Sequence, residues 1–205
     1  MKEYARLLLE WNRTVNLTGA RTIEAVEAHI DEAFHLLAVP WEGVAKVVDI
    51  GSGGGLPAIP LALRLPNVEF SLVEANARKC AFLMHLAATL PLPNIRVLLG
   101  RAEDLARLPE LRESFDRAIS RAVAQPPVLL ELALPFVRTG GDLFAQVAEL
   151  DPDSLAGVAR LLGGGTPKLR HGPGERDFLL AVDKVAPTPP DYPRRTGVPN
   201  RKPLA

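Results

Sequence analysis

The chain is poor in cysteine and has no excess of charge of either sign. Its 205 residues include one cysteine, Cys80, which excludes an intrachain disulfide and a cysteine-based zinc cluster. Lysine and arginine together number 24, and so do aspartate and glutamate. No overall basic field therefore points to nucleic acid, although a local basic segment still can.

Long hydrophobic runs are also lacking. The opening "MKEYARLLLEW" has three consecutive leucines flanked by charges, which is too short an apolar run for a secretory signal. The stretch "VLLELALPFV" contains Glu131 and is too short to span a bilayer. We therefore expect a cytoplasmic protein with no membrane partner.

Strand-like runs alternate with helical segments from Lys46 onward, after two N-terminal helices. The first of those helices has Tyr4, Leu7, Leu8 and Trp11 at helical spacing, and the second begins at the N-cap candidate Thr22 and extends to about Val39. Alternating strands and helices predict a doubly wound, mostly parallel α/β sheet. The predicted later helices are 57–65, 77–90, 103–111, 127–137 and 153–162, and the predicted strands are "KVVDI", "VEFSLVE", "IRVLL", "FDRAIS", "GDLFAQV" and "RDFLLAVDKV".

Two strand-like pieces, "PKLRH" and "RDFLLAVDK", follow the last predicted helix with only "GPGE" between them. Such a connection predicts a hairpin and hence an antiparallel edge strand. A Rossmann-like sheet with a late reversed strand is typical of the class I S-adenosylmethionine methyltransferases. We expect one domain over 1–205, with an N-terminal helical part at 1–40, the core at 41–185 and a tail at 186–205.

The segment from Lys184 to the end is rich in proline and in positive charge. It holds six prolines, five basic side chains and one acidic side chain, and therefore a net charge of +4. Because it cannot pack a core of its own, it is either a disordered end or an extended strap on the domain.

A glycine-rich stretch, "VVDIGSGGGLPAIPL" at 47–61, predicts a strand, a tight loop and a helix start. Gly51, Gly53 and Gly55 allow positive φ and bring the backbone close to a ligand. The letters "GGGLPA" also fit the dinucleotide pattern, so NAD stays open at this point. Asp49 and Pro57 favour a different ligand, because a carboxylate suits an ammonium group and proline removes a donor that a phosphate needs.

Polar residues also follow the later strands, at the edge where open α/β sheets bind ligands. Glu74 ends the second strand and suits ribose hydroxyls, which serves NAD and S-adenosylmethionine equally. Ala102 and Glu103 follow the third strand and can offer a backbone group and a carboxylate to an adenine edge. Arg121 ends the fourth strand and can attract a phosphate or a substrate carbonyl.

Several motifs together resemble one family, the bacterial small-subunit ribosomal RNA methyltransferase G, also named glucose-inhibited division protein B. They are "EWNRTVNLTGAR", "VVDIGSGGGLPAIPLAL", "KCAFL", "GRAED", "ISRAVA" and "YPRRTGVPNRKPL". The resemblance implies a cytoplasmic, S-adenosylmethionine-dependent enzyme that methylates N7 of one guanine of 16S rRNA, position 527 in common rRNA numbering. The implied partner is the small ribosomal subunit, and we expect a monomer without a metal.

The expected site residues follow from the glycine loop, the strand ends and this resemblance. The predicted cofactor-binding residues are Asp49, Gly51, Gly53, Gly55, Leu56, Glu74, Ala75, Asn76, Ala102, Glu103 and Arg121. Local basic patches are the candidate RNA contacts, namely Arg13, Arg21, Arg121, Arg194, Arg195, Arg201 and Lys202. The chain departs from the family pattern at Glu32, where aspartate is expected, and at Val147 and Ala148, which replace Lys-Gly.

No residue is predicted as a general base. Guanine N7 has a free lone pair and loses no proton on methylation, so positioning and desolvation of the reactants can supply most of the rate. His29 is expected to have a structural hydrogen-bonding role, and Cys80 is expected to be a buried small hydrophobe. Three alternatives stay open: a methyltransferase for another substrate, an NAD(P)-dependent dehydrogenase, and a non-catalytic module that binds S-adenosylmethionine or RNA.

Overall fold

The computed structural model describes residues 1–172 and 178–205. It begins with two helices, α1 at Lys2–Val15 and α2 at Ile23–Phe34, followed by a 3-10 turn at His35–Ala38. The Thr22 hydroxyl accepts a hydrogen bond from the Ala25 backbone N–H and so caps α2 as predicted. Tyr4 and Leu8 on the apolar face of α1 are buried, which confirms its amphipathic pattern.

Seven strands form one sheet in the order β3-β2-β1-β4-β5-β7-β6. The pairs from β3 to β5 are parallel, and β7 is antiparallel to both β5 and β6. The structure thus confirms the doubly wound, mostly parallel sheet with an antiparallel edge. The strands are β1 Lys46–Ile50, β2 Glu69–Glu74, β3 Ile95–Leu99, β4 Phe115–Arg121, β5 Val137–Val147, β6 Lys168–His171 and β7 Phe178–Asp183.

The predicted hairpin connection "GPGE" at 172–175 lies outside the described residues except for Gly172. The reversed strand β7 lies one position in from the edge, and the short β6 forms the edge itself. An edge strand of four residues leaves few unpaired backbone groups for another chain to bind.

Helices cover both faces of the sheet. The predicted helix over 103–111 was wrong in length, because the helix ends at Leu105 and only turns follow it. Pro109 has no N–H to donate to Leu105 O, and in a helix its ring would clash with that carbonyl, so the helix cannot continue through to 111. The remaining helices are α3 Ala58–Arg64, α4 Ala77–Thr89, α5 Ala102–Leu105, α6 Pro126–Ala133, α7 Ala156–Leu161 and α8 Val198–Arg201.

The sheet separates two apolar cores, as strand periodicity requires. In β1, Val47 packs into the core that contains the buried side chains of α1 and α2. Val48 and Ile50 pack into the other core, which contains α6 and α7. Alternate residues of one strand therefore face the N-terminal helices and the C-terminal helices, respectively. In the described parts of the chain, no helix is long and apolar enough to cross a membrane.

The C-terminal strap, residues 184–205, lies on the domain and is fixed there by side chains of the core. Lys184 is buried, and its Nζ donates to Glu113 Oε1 at 2.9 Å, to Leu134 O at 2.8 Å and to Thr188 Oγ1 at 2.6 Å. Arg112 donates to the backbone oxygens of three strap residues, which are Thr188, Pro189 and Tyr192. The segment is thus a strap, which decides between the two alternatives that its composition left open.

Candidate active site

The loop between β1 and α3 contains the alternating glycines. Gly51 has φ +70° and Gly53 has φ +52°, in the left-handed region that residues with a Cβ rarely adopt. A Cβ on Gly51 would lie 2.6 Å from Val123 Cγ2, whereas a Cβ on Gly53 would meet nothing closer than 3.7 Å. Glycine is therefore required at 51 for both conformation and space, and at 53 for conformation alone.

Glu74, at the carboxyl end of β2, holds this loop in place. Its Oε2 accepts the Gly53 backbone N–H at 3.0 Å, and its Oε1 accepts the Asn76 backbone N–H at 2.8 Å. Each carboxylate oxygen has a second lone pair, so both oxygens can still accept a ligand hydroxyl. Asn76 in turn caps α4, since its Oδ1 accepts from Arg78 N and Lys79 N.

A cavity of about 270 Å³, here called the glycine-loop pocket, lies at the carboxyl ends of β1, β2 and β3. Open α/β sheets bind ligands at this edge. The predicted residues that line it are Gly51, Glu74, Ala75, Ala102 and Glu103. The structure thus brings together five of the predicted cofactor-binding residues around one cavity.

Asp49 is the buried acidic residue of β1, directly below the loop. Its side chain is fully buried, and neither carboxyl oxygen has a hydrogen-bond partner within the described residues. Burial, together with the negative charge of Glu74, raises the pKa of Asp49 to about 8. A buried carboxyl group without a partner destabilises the fold, so its presence is better explained by a ligand cation that pairs with it.

The other predicted loop residues do not line the glycine-loop pocket. Asp49 faces the core of the N-terminal helices, as does Val47 two residues earlier in the same strand. A Cβ on Gly55 would lie 2.5 Å from Ile59, and Leu56 packs against the apolar core. Gly53 and Asn76 act through their hydrogen bonds to Glu74.

Helix α1 and the motif "EWNRTVNLTGAR" that overlaps its end support the glycine loop from behind. The buried Tyr4 hydroxyl donates to Gly54 O at 2.8 Å, and a Cβ on Gly54 would lie 2.9 Å from Leu8 Cδ1. Asn12 shapes the turn after α1, because its Oδ1 accepts from the backbone N–H groups of Leu17 and Thr18. The segment "WNRTVNLT" is thus a structural element behind the pocket.

A second cavity, the β4–β5 pocket, has a volume of about 630 Å³ and lies beside the first. Both cavities are lined by Ala122, Val123 and Ala124, which follow β4. Ala122 has φ +53°, an uncommon conformation for a residue with a Cβ, and such strain often marks functional segments. A three-residue wall thus separates the two cavities.

Arg121 lines the β4–β5 pocket, away from the other predicted cofactor residues. Its Nη2 lies 2.5 Å from Glu32 Oε2 and 2.8 Å from His29 Nδ1, and its Nη1 donates to His29 O at 3.1 Å. The guanidinium therefore joins β4 to α2. Glu32, where the resemblance predicts an aspartate, is the carboxylate that pairs with it. Contacts of Arg121 with cofactor or RNA remain predictions.

Gln146 on β5 completes this corner of the β4–β5 pocket. Its Nε2 donates to Glu32 O at 2.7 Å, which fixes the amide orientation. Its Oε1 is buried and has no hydrogen-bond partner in the described part of the chain. A buried amide oxygen in that state is a candidate acceptor for a substrate N–H group.

Apart from Arg121, which is ion-paired with Glu32, the predicted RNA contacts fall into two groups. Arg194 is ion-paired with the fully buried Glu131, whose Oε2 lies 2.6 Å from Nη2, so its guanidinium fixes the strap to α6. The other predicted contacts are exposed and available at the surface: Arg13, Arg21, Arg195, Arg201 and Lys202.

Sequence reasoning missed three polar residues of the glycine-loop pocket, namely Lys79, Arg101 and Asn200. Lys79 lies in the first turn of α4, and Arg101 directly follows β3. Their positions shortly after β2 and β3 would therefore have allowed both residues to be predicted from the sequence. Asn200 lies in the strap, and no local pattern connects it with the glycine loop.

The comparisons with known proteins agree with this geometry. The family described as rRNA small subunit methyltransferase G matches residues 1–158. The chain is 41% identical to the ribosomal RNA small subunit methyltransferase G of Moorella thermoacetica, across 100% of this chain and 89% of that protein. It is 40% identical to the protein of the same name from Deinococcus deserti, across 97% of this chain and 85% of that one.

Solved structures agree at the level of the fold. A SAM-dependent methyltransferase from Aquifex aeolicus superposes with a TM-score of 0.61 at 13% sequence identity. The superposition covers 77% of this chain and 91% of the other. The likeness supports a class I methyltransferase fold.

Proposed function

The chain belongs to the rRNA small subunit methyltransferase G family and is an S-adenosylmethionine-dependent methyltransferase of 16S rRNA, and we propose that its target atom is N7 of a single guanine. In common rRNA numbering this guanine is position 527. The motifs quoted from the sequence motivate the assignment of base and atom. We further propose that the protein acts as a monomer in the cytoplasm.

The observation that supports the proposal most strongly is the wall shared by the two cavities. A methyl donor in the glycine-loop pocket and a base in the β4–β5 pocket would lie on the two sides of Ala122–Ala124. The second cavity, of about 630 Å³, falls in the range that holds small ligands, so a base turned out of its RNA stack fits it.

The residues of the glycine-loop pocket fit the methyl donor. S-Adenosylmethionine supplies a methyl group on a positively charged sulfur, and it also has an ammonium group and ribose hydroxyls. Asp49 lies buried below the loop and does not line the pocket, but it is the carboxyl group there without a hydrogen-bond partner among the described residues, and we assign it to the ammonium group. Glu74, already oriented by two backbone N–H groups, is the acceptor for the hydroxyls.

The chemistry of guanine N7 is consistent with the groups around the β4–β5 pocket. N7 has a lone pair and no hydrogen, so its methylation removes no proton from the reacting atom. Glu32 lines that pocket, but its carboxylate is ion-paired with Arg121. The role left for the protein is to hold both reactants in line and to exclude water.

The test uses small ribosomal subunits from cells that lack this protein. They are incubated with the purified chain and methyl-labelled S-adenosylmethionine, and the label is mapped by cleavage specific for 7-methylguanine. We expect label at one guanine, with subunits from the parent strain as the control that is already methylated. Label on another base or atom would contradict the proposed target. Cofactor binding without any label would favour a non-catalytic module.

A further inference from the structure

The C-terminal strap reaches the glycine-loop pocket. Beyond the Arg194–Glu131 ion pair, Thr196 Oγ1 donates to Asp104 Oδ1 at 2.7 Å. The next backbone N–H, that of Gly197, donates to Glu103 Oε1 at 3.0 Å. Both acceptors belong to α5, the helix that begins the pocket wall after β3. Two successive strap residues are therefore hydrogen-bonded to the edge of the cavity.

Glu103 connects the strap to the glycine-loop pocket. Only 1% of its surface is exposed, and its Oε1 accepts from both Gly197 N and Arg101 Nη2. The carboxylate that the sequence predicts for the ligand thus also binds the strap. Displacing the strap would leave this buried carboxylate with fewer donors and would loosen the wall.

Asn200 is the strap residue that lines the glycine-loop pocket itself. It lies in α8, three residues after Gly197, so the hydrogen bond at Glu103 determines where its side chain can reach. The Asn200 amide has no hydrogen-bond partner among the described residues, which leaves its donor and its acceptor free. An asparagine amide complements the edge of an adenine, which presents an amino donor beside a ring-nitrogen acceptor.

We infer that the strap is an integral wall of the cofactor site and that Asn200 binds the adenine edge of the bound nucleoside. Gly197 and Thr196 are positioning residues, since they hold α8 against α5 without touching the ligand. The inference rests on the cofactor and not on the identity of the target base. It adds a cofactor residue that lies about a hundred positions after Ala102 and Glu103 in the sequence.

The experiment measures binding of S-adenosylhomocysteine to the full chain by calorimetry. Asn200→Ala is expected to weaken binding about tenfold, the size of one or two lost hydrogen bonds. Thr196→Val removes the bond to Asp104 without changing a lining residue, and a two- to threefold loss is expected. Asp191→Ala is the matched control, because it removes an exposed strap side chain that is not among the predicted cofactor or RNA contacts and should leave the Kd unchanged.

A second ligand tests the contact with the base. S-Inosylhomocysteine has an oxygen in place of the adenine amino group, so the parent chain should bind it more weakly than S-adenosylhomocysteine. This preference should shrink in Asn200→Ala. If Asn200→Ala weakened the binding of both ligands equally, or bound S-adenosylhomocysteine with the Kd of the parent chain, the inference would be overturned.

The melting temperature of each ligand-free variant shows whether the fold is intact. A variant that melts like the parent chain but binds weakly has lost a ligand contact. The inference and the proposed target also fail separately, because the Kd values do not depend on RNA. Loss of the preference for adenine in Asn200→Ala would support the inference even if no guanine were labelled.

Discussion

The two cavities are built in different ways. The glycine-loop pocket depends on backbone geometry: Gly51 lines it with positive φ, and the Glu74 carboxylate is held there by two backbone N–H groups. The β4–β5 pocket is formed by long side chains that join distant elements, with Arg121 of β4 bonded to α2 and Gln146 of β5 bonded to Glu32 O. The two pockets should therefore differ in which substitutions they tolerate.

A backbone-built site has few acceptable substitutions, because each glycine is fixed by conformation or by space. A site built from paired side chains can accept a compensating change. The carboxylate of Glu32, which reaches Arg121 at 2.5 Å, is such a paired side chain. We therefore expect substitutions at the glycine-loop pocket to cost more than substitutions at the β4–β5 pocket.

The largest effect is expected for Gly51→Ala. An alanine would have to adopt φ +70° and would place its Cβ 2.6 Å from Val123. The conformational strain costs about 1–2 kcal/mol, and the displacement of Val123 adds about 1–3 kcal/mol. Urea denaturation should show the free energy of unfolding lowered by several kcal/mol, and cofactor binding should be lost.

Gly53→Ala separates strain from crowding. Its φ of +52° is also left-handed, but a Cβ there would have no neighbour within 3.7 Å. We expect a loss in the free energy of unfolding of about 1 kcal/mol, the strain alone. Equal losses at both positions would show that Val123 moves aside freely, so that crowding does not fix Gly51.

Asp49→Asn tests the buried carboxyl as the partner of the ligand's ammonium group. The neutral amide keeps the shape but removes the charge, so S-adenosylhomocysteine should bind about 10- to 100-fold more weakly by calorimetry. Ser120→Ala is the control, since it deletes a buried hydroxyl bonded to the neighbouring Ile50 O and leaves the Asp49 carboxyl and its surroundings in place. A Kd unchanged in Asp49→Asn would refute the ammonium contact.

The same variant has a predicted pH signature in the ligand-free protein. The pKa of Asp49 is raised from 3.8 to about 8, so between these values the folded chain keeps a proton that the unfolded chain has lost. The stability that this proton confers is fully present below pH 3.8 and is lost as the pH rises through about 8. Relative to the parent chain, Asp49→Asn should therefore gain at least about 1 kcal/mol between pH 5 and pH 8. Parallel stability curves for the two chains would contradict the raised pKa.

Most of the fold was predictable from local patterns. The alternation of strands and helices predicted the parallel sheet, and Thr22 predicted the start of α2. The helix predicted over 103–111 was too long, because the apolar spacing there continues past Leu105 although Pro109 disfavours a helix. The path of the strap was not predictable, since it depends on distant side chains such as Arg112 and Glu131.

The two pockets were predictable to different degrees for the same physical reason. Gly51, Glu74 and Ala102 follow strand ends, and parallel strands bring such residues to one edge. Gln146 and Asn200 left no such signal. Their placement depends on hydrogen bonds between residues more than ninety positions apart, from Gln146 to Glu32 and from Gly197 to Glu103, and no spacing rule predicts such pairing.

A smaller effect is expected for Glu32→Gln. The amide keeps the length but removes the charge that pairs with Arg121, and both side chains are partly exposed, so the free energy of unfolding should fall by about 1 kcal/mol. Methylation of small subunits should slow, while the Kd for S-adenosylhomocysteine stays within about twofold of the parent value. A higher Kd for S-adenosylhomocysteine would show that the two pockets are not independent, which would contradict the distinction drawn between them.

The smallest effects per residue are expected on the exposed face of the strap. Arg195, Arg201 and Lys202 are exposed and positively charged, so each can neutralise one RNA phosphate. Replacing one of them with alanine should weaken RNA binding at low salt and lower the slope of log Kd against log salt by about 0.7–0.9. Arg194→Ala should behave differently, because it removes the guanidinium that neutralises the buried Glu131 and leaves that carboxylate only the backbone N–H of residue 194, so the melting temperature should fall. Filter binding at several salt concentrations, together with melting curves, separates the two classes. If Arg195→Ala instead lowered the melting temperature and left the salt slope unchanged, the exposed arginines would belong to the scaffold, and RNA would have to bind elsewhere.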